Sequence, residues 1–162
     1  TMSLIHLDGR LEVYRVRDGI SELVHAHKNT VNVALRTACV NMMISRSIEK
    51  GFDAMAWGSY SSPGGTFLAS DWAGTTSSGT QGGLVQSNPT TSSAKLSGTF
   101  SFSSQKLINY FQAGRGYAAA GAGVSSLFTT LYAYDSSLLT GSNSITYENG
   151  DALILNWTWT LS

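Results

Sequence analysis

The chain has 162 residues, the size of one domain that buries roughly two thirds of the surface its unfolded form would expose. Ten basic and ten acidic residues cancel, and charged residues make up 12% of the chain against roughly 25% in an ordinary domain, so no net field draws it to phosphate backbones or anionic membranes. Nucleic acid and membranes are therefore set aside as partners, while 42% apolar and 10% aromatic residues supply a core and exclude a disordered chain.

Residues 11–16, Leu-Glu-Val-Tyr-Arg-Val, are β-branched and aromatic, and Arg17-Asp18-Gly19-Ile20 offers an Asp-Gly turn before a second strand at 22–27. The chain opens with a β-hairpin. From Thr30 the period changes: Val31, Ala34, Leu35, Ala38, Cys39, Met42 and Met43 recur every three or four residues, which predicts one amphipathic helix over about residues 31–47, capped by Asn29 or Thr30. No later stretch has helical period, so the remainder is expected to be β. Residues 52–59 read as a strand entering the loop 61–65, and the Gly/Ser/Thr-rich stretch 74–93 reads as an extended surface loop. Leu96, Gly98, Phe100 and Phe102 then alternate with Ser97, Thr99, Ser101 and Ser103, a strand whose wet face carries hydroxyls.

Residues 110–113 and 124–134 give two more strands, split by Gly114-Arg115-Gly116, read as a turn, and by the small residues 118–123. The clearest strand closes the chain. In 151–161, Leu153, Leu155, Trp157, Trp159 and Leu161 face one way, and Glu148-Asn149-Gly150-Asp151 supplies the turn that enters it. About seven strands and one helix in a mainly β chain predict a single antiparallel β-sandwich domain over 1–162, the helix closing one end or packing on a face. No apolar run approaches the roughly 18 residues of a membrane span, and the first residues lack the basic-then-apolar pattern of a signal peptide, so a soluble chain is expected. The lone Cys39 rules out an internal disulfide.

The hairpin feeding Lys28-Asn29-Thr30-Val31-Asn32 and a helix resembles the start of a family of small virion structural proteins of tailed phages. Later segments follow in the family's order: Met55-Ala56-Trp57-Gly58-Ser59, the acidic Ser/Thr/Pro/Gly loop 61–73, the alternating strand ending at Phe102, and Tyr110-Phe111-Gln112-Ala113-Gly114. The closing Gly150-Asp151-Ala152-Leu153, with Trp157 four residues on, matches the family's Gly-Asp-x-Leu-x-x-x-Trp finish. Gln112 stands where the family carries an acidic residue, and the Ala/Gly segment 118–123 is longer here. The resemblance implies a non-enzymatic virion building block, on the capsid as a decoration or on the tail, present in several copies. Its partners would be copies of itself and major capsid or tail proteins.

The residues themselves offer little chemistry. His25 and His27 sit two apart on a strand and can share a face near His6 and Asp8, but a metal site needs further convergent ligands, so neither metal nor cofactor is expected. Cys39 on the helix reads as a small buried apolar side chain rather than a nucleophile. There is no Gly-x-Ser-x-Gly elbow, and Gly114-Arg115-Gly116 is too short to cradle phosphate, so no catalytic residue is assigned. A surface rich in hydroxyls and poor in charge suits protein contacts, because few ions are desolvated when it is covered. The contact candidates are Leu11, Val13, Tyr14, His25 and His27 on the hairpin, Tyr60 and Trp72 in the loop region 60–93, and Arg115 and Tyr117 near the Gly-rich segment, with strand addition along the amino-terminal strands as the mode of assembly. The alternative is a carbohydrate- or receptor-binding module at a virion tip, using Tyr60, Asp71 and Trp72 on loops.

Overall fold

A computed structural model describes residues 6–31, 33–43, 54–60, 67–76, 79–81, 85–117, 128–139 and 144–162. The chain is mainly β, and every sheet is antiparallel. Among the described residues the order is β1 (Leu7–Arg17), β2 (Ile20–Lys28), β3 (Thr30–Val31), α1 (Val33–Met43), β4 (Ala54–Tyr60), β5 (Phe67–Thr76), β6 (Gly79–Gln81), β7 (Val85–Thr90), β8 (Ser93–Ser101), β9 (Lys106–Ile108), β10 (Tyr110–Tyr117), β11 (Phe128–Asp135), a 3-10 turn (Ser137–Leu139), β12 (Ile145–Tyr147) and β13 (Ala152–Leu161).

The predicted hairpin forms, with Asp18 and Gly19 both at positive φ (51° and 77°), the pair of left-handed residues a two-residue turn needs to follow strand twist. Its first strand continues into the five-stranded sheet β2-β1-β13-β8-β7. The second sheet has six strands in the order β3-β11-β10-β4-β5-β6, and β12 pairs β9 in a third of two strands. The two large sheets share one apolar cluster. Leu11, Val13, Leu96, Phe100, Leu153, Leu155, Trp157 and Trp159 come from the first sheet; Met55, Trp57, Phe111, Ala113 and Tyr132 come from the second. Trp57 meets Phe100 and Phe102 edge to face across the gap at 5.7 and 5.2 Å between ring centroids, a geometry that sets positive ring edges against negative ring faces. This is the sandwich-like arrangement of two sheets around one core that the strand pattern predicts.

Several local expectations need correction. There are thirteen strands among the described residues rather than about seven, because short ladders form in segments whose side chains give no period-two signal. The stretch 74–93 is the main case. It holds the end of β5, then β6 and β7, built from Thr, Ser and Gln whose backbones pair even though every described side chain from Val85 to Ser92 is exposed. The segment Gly114-Arg115-Gly116 is part of β10 and not a turn: Arg115 pairs Thr130, and the ladder slips by one residue opposite Ala113 and Gly114, the extra residue being Tyr132 on β11. The helix begins at Val33, because Thr30 and Val31 pair with Tyr134 and Ala133 as β3. It packs beside β11 and buries Leu35 and Ala38; residues 44–47 of the predicted helix and the loop 61–65 lie outside the described residues. Leu161 keeps its predicted parity but is exposed, at the end of β13 where the core stops.

Among the described residues, every edge of the two large sheets is short or interrupted. β3 has two residues and β6 three. β2 carries an extra residue, Val24, between the His25 and Leu23 rungs, and β7 contains Pro89 with a slip between Ser87 and Thr90. Bulges and prolines are the devices that keep an edge from templating another strand. β1 itself is no edge, being flanked by β2 and β13. Strand addition along the amino-terminal strands would have to use the outer edge of β2, where the bulge at Val24 reverses the in-and-out alternation halfway along.

Gly9 faces Trp159 across the ladder, and a Cβ there would overlap the side-chain amide of Asn29, which is buried against it. Gly9→Ala is expected to cost about 1–3 kcal/mol in urea unfolding, as overpacking does, and the cost should shrink in the Gly9→Ala/Asn29→Ala double variant.

Candidate functional site

Two polar clusters are built on the buried carboxylates Asp135 and Asp151. The first links the sheets. His25 on β2 and Asp135 at the end of β11 meet through Nε2 and Oδ2 at 2.7 Å, with side-chain exposures of 12% and 2%. Asp135 ends an apolar strand and starts a turn in which the Ser137 amide donates to Oδ1 at 2.9 Å, the arrangement an aspartate makes two residues ahead of a bend. Burial pushes the Asp135 carboxyl up, but the hydrogen bonds from His25 and Ser137 outweigh it and hold the group below its ordinary value. As a carboxylate it can only accept, so Nε2 of His25 donates. The His25 ring stacks on Phe111 at 6.3 Å and on His27 at 6.1 Å. His27, half exposed, points Nδ1 at the other oxygen of Asp135 from 3.6 Å.

Ser137 Oγ lies 3.2 Å from the same His25 Nε2. A serine–histidine–aspartate relay needs the carboxylate on one ring nitrogen and the hydroxyl on the other, so that the ring can take a proton from one side while held from the other. Here both partners meet one nitrogen. In this geometry the triple ties the end of β11 to β2. Among the described residues no group of three or more His, Cys, Asp or Glu is disposed to hold a metal ion.

The second cluster closes the entry to β13. Arg17, at the tip of β1, grips Asp151 with two parallel bonds, Nε to Oδ1 at 2.9 Å and Nη2 to Oδ2 at 2.6 Å. Asp151 also accepts the Glu148 amide at 2.8 Å, and its own amide donates to the Glu148 carbonyl, closing a turn in which Gly150 adopts φ 92°. The Arg17 fork, and then the Glu148 amide, draw the Asp151 carboxyl down to about 2. Nearby, Arg15 bonds Glu22 at 2.7 Å and the Thr146 carbonyl at 3.2 Å, and the buried Tyr147 hydroxyl donates to the Tyr14 carbonyl. Burial raises the Tyr147 phenol well above its usual range, so it stays a donor.

The sequence candidates divide accordingly. Leu11 and Val13 are fully buried core residues and cannot form a contact surface, because the alternation of β1 turns them inward toward the second sheet. Tyr14 is half-buried on the outward face, its hydroxyl donating to Glu12. His25 is committed to Asp135, while His27 remains half exposed. Tyr60, Trp72, Arg115 and Tyr117 lie on β4, β5 and β10, with side chains outside the described residues; Tyr60, Asp71 and Trp72 thus sit on paired strands and not on loops. Cys39 packs at the margin of the core, and burial raises its thiol, which opposes thiolate formation. Gln112 is fully buried on β10 and donates to the Tyr110 hydroxyl at 3.5 Å.

The sequence carries no expectation for Asp135, and it places Arg17 and Asp151 only in turns and in the closing motif, not as partners. The one signal for Asp135 is an acid at the boundary of an apolar run, Tyr132-Ala133-Tyr134-Asp135, followed by two serines. Comparison with protein-family models, curated proteins and solved structures yields no match.

A carboxyl held at about 2 in the folded chain, against an ordinary 3.8, contributes stability that is fully present above about pH 4 and is lost as pH falls toward 2. Asp151→Asn is expected to lower stability at pH 7 and to flatten the acid limb of the stability curve between pH 4 and 2, read by chemical unfolding at each pH. His25→Ala leaves the Asp135 carboxylate buried with one partner fewer and is expected to cost about 1–3 kcal/mol at pH 7 by the same measurement.

Proposed function

We propose that this chain is a non-enzymatic structural subunit of a tailed-phage virion, present in several copies and packing against itself and against capsid or tail proteins. One observation carries the reading: the two segments that resemble the virion family, the opening hairpin and the Gly150-Asp151-x-Leu153 finish, meet in one sheet and lock to each other. β1 pairs β13 over ten rungs from Leu7↔Leu161 to Val16↔Ala152, and Arg17 of the hairpin grips Asp151 of the finish. Residues that build a scaffold in this way suit a protein whose work is shape and contact. The wiring of His25, Asp135 and Ser137 as a brace fits the same reading. So does the outward face of the five-stranded sheet, where Thr99, Asn156, Thr158 and Thr160 present neutral polar groups.

The test is light scattering over a concentration series, followed by co-sedimentation with empty particles of the phage that encodes the chain. A closed oligomer, or saturable binding to particles, is the expected result. A monodisperse monomer at high concentration that ignores particles overturns the reading.

A further inference from the structure

The register of the five-stranded sheet aligns its outward side chains in rows across the strands. One row reads Lys28 on β2, Arg10 on β1, Thr158 on β13, Lys95 on β8 and Ser87 on β7, each directly opposite the next. Arg10 and Lys28 are like charges at directly opposed positions, an arrangement that destabilises a sheet. Arg10 and Lys28 are exposed, Lys95 is half-buried, and among the described residues none of the three has an ion-pair partner, whereas Arg15 and Arg17 are each paired with a carboxylate. The three cations span three strand spacings, about 14 Å. About 13 Å along the strands, on the same face, lies an apolar row: Leu23, Tyr14 and Ile154, with Leu23 49% exposed.

We propose that this face docks an acidic segment of a partner protein, its carboxylates lying over Lys28, Arg10 and Lys95 and an apolar side chain over Leu23, Tyr14 and Ile154. The inference rests on the reading of the chain as a contact-forming virion subunit and specifies the chemistry of its partner. Charge complementarity selects the occupant. Asp8 and Glu12 flank Arg10 in the adjoining rows, so a nucleic acid, with a phosphate every few ångströms, would lay negative charge over both carboxylates. A polypeptide can place isolated carboxylates on the cationic row alone. A partner carboxylate over Arg10 and Lys28 adds a counter-charge directly on the like-charged pair, where Asp8 and Glu12 stand one row to either side.

The experiment uses the full chain and a fluorescent random glutamate–tyrosine copolymer at low salt, read by anisotropy, with polyglutamate and oligo-thymidylate as comparators. The copolymer is expected to bind saturably and more tightly than either. Arg10→Ser/Lys28→Ser/Lys95→Ser is expected to weaken it at least tenfold, and Lys106→Ser, on β9 outside this sheet, by less than twofold. Lys28→Glu, which sets opposite charges across β1 and β2, is expected to raise the melting temperature while losing affinity, a combination that damage to the fold does not produce. Equal loss in Lys106→Ser, tighter binding of oligo-thymidylate, or no saturable binding overturns the proposal. Particle co-sedimentation separates it from the broader reading. A triple variant that sediments like the parent removes this surface and leaves the virion role standing, whereas a parent that binds the copolymer through the row but ignores particles removes the role and leaves the surface.

Discussion

The pairing of β1 with β13 is the constraint on which the rest of the fold depends. β13 is the central strand of its sheet, with β1 on one side and β8 on the other, so each inward residue is covered from both flanks: Trp157 lies between Leu11 and Leu96, and Leu155 between Val13 and Gly98. The small residues are placed for this. Gly98 beside Leu155 and Gly9 beside Trp159 leave room for the larger side chains of β13, and Trp157 and Trp159 stack at 5.7 Å along the same face. The register is held at one end by the Arg17–Asp151 fork and at the other by reciprocal bonds between the backbones of His6 and Ser162. A slip of one residue would turn both tryptophans to water.

The two polar clusters divide the labour of holding this core. Arg17 with Asp151 fixes register within one sheet, and His25 with Asp135 ties that sheet's outer strand to the end of β11 in the other. Both are charge-assisted contacts with a nearly buried carboxylate, and in both the carboxylate also accepts a backbone amide from its own turn. Such groups specify geometry as much as they stabilise it, because an aspartate left in the core without its partners is costly.

Much of the architecture was legible in the residues. The Asp18-Gly19 turn, the alternation of β8 and β13 and the 148–151 turn are each written in local chemistry, and each forms as read. What escaped is non-local. A strand such as β7, whose side chains all face water, has no apolar period and exists because β8 offers it a backbone ladder. Leu11 and Val13 look like exposed hairpin residues until β13 fixes which face is inward. Asp135 gains its role from His25, 110 residues away in sequence. The cationic row draws its charges from three strands and appears only when the registers of the sheet are aligned.

The same pairing sets a demand on synthesis. The partner of β1 emerges about 135 residues after Arg17, a wait of roughly 7–27 s at a translation rate of 5–20 residues per second. Throughout that interval the hairpin has one finished side and one open side, with Leu11 and Val13 uncovered and the inner edge of β1 unpaired. The bulge on β2 guards only the outer edge. Until the central strand arrives, that open edge and those apolar side chains are the exposed surfaces of the nascent chain.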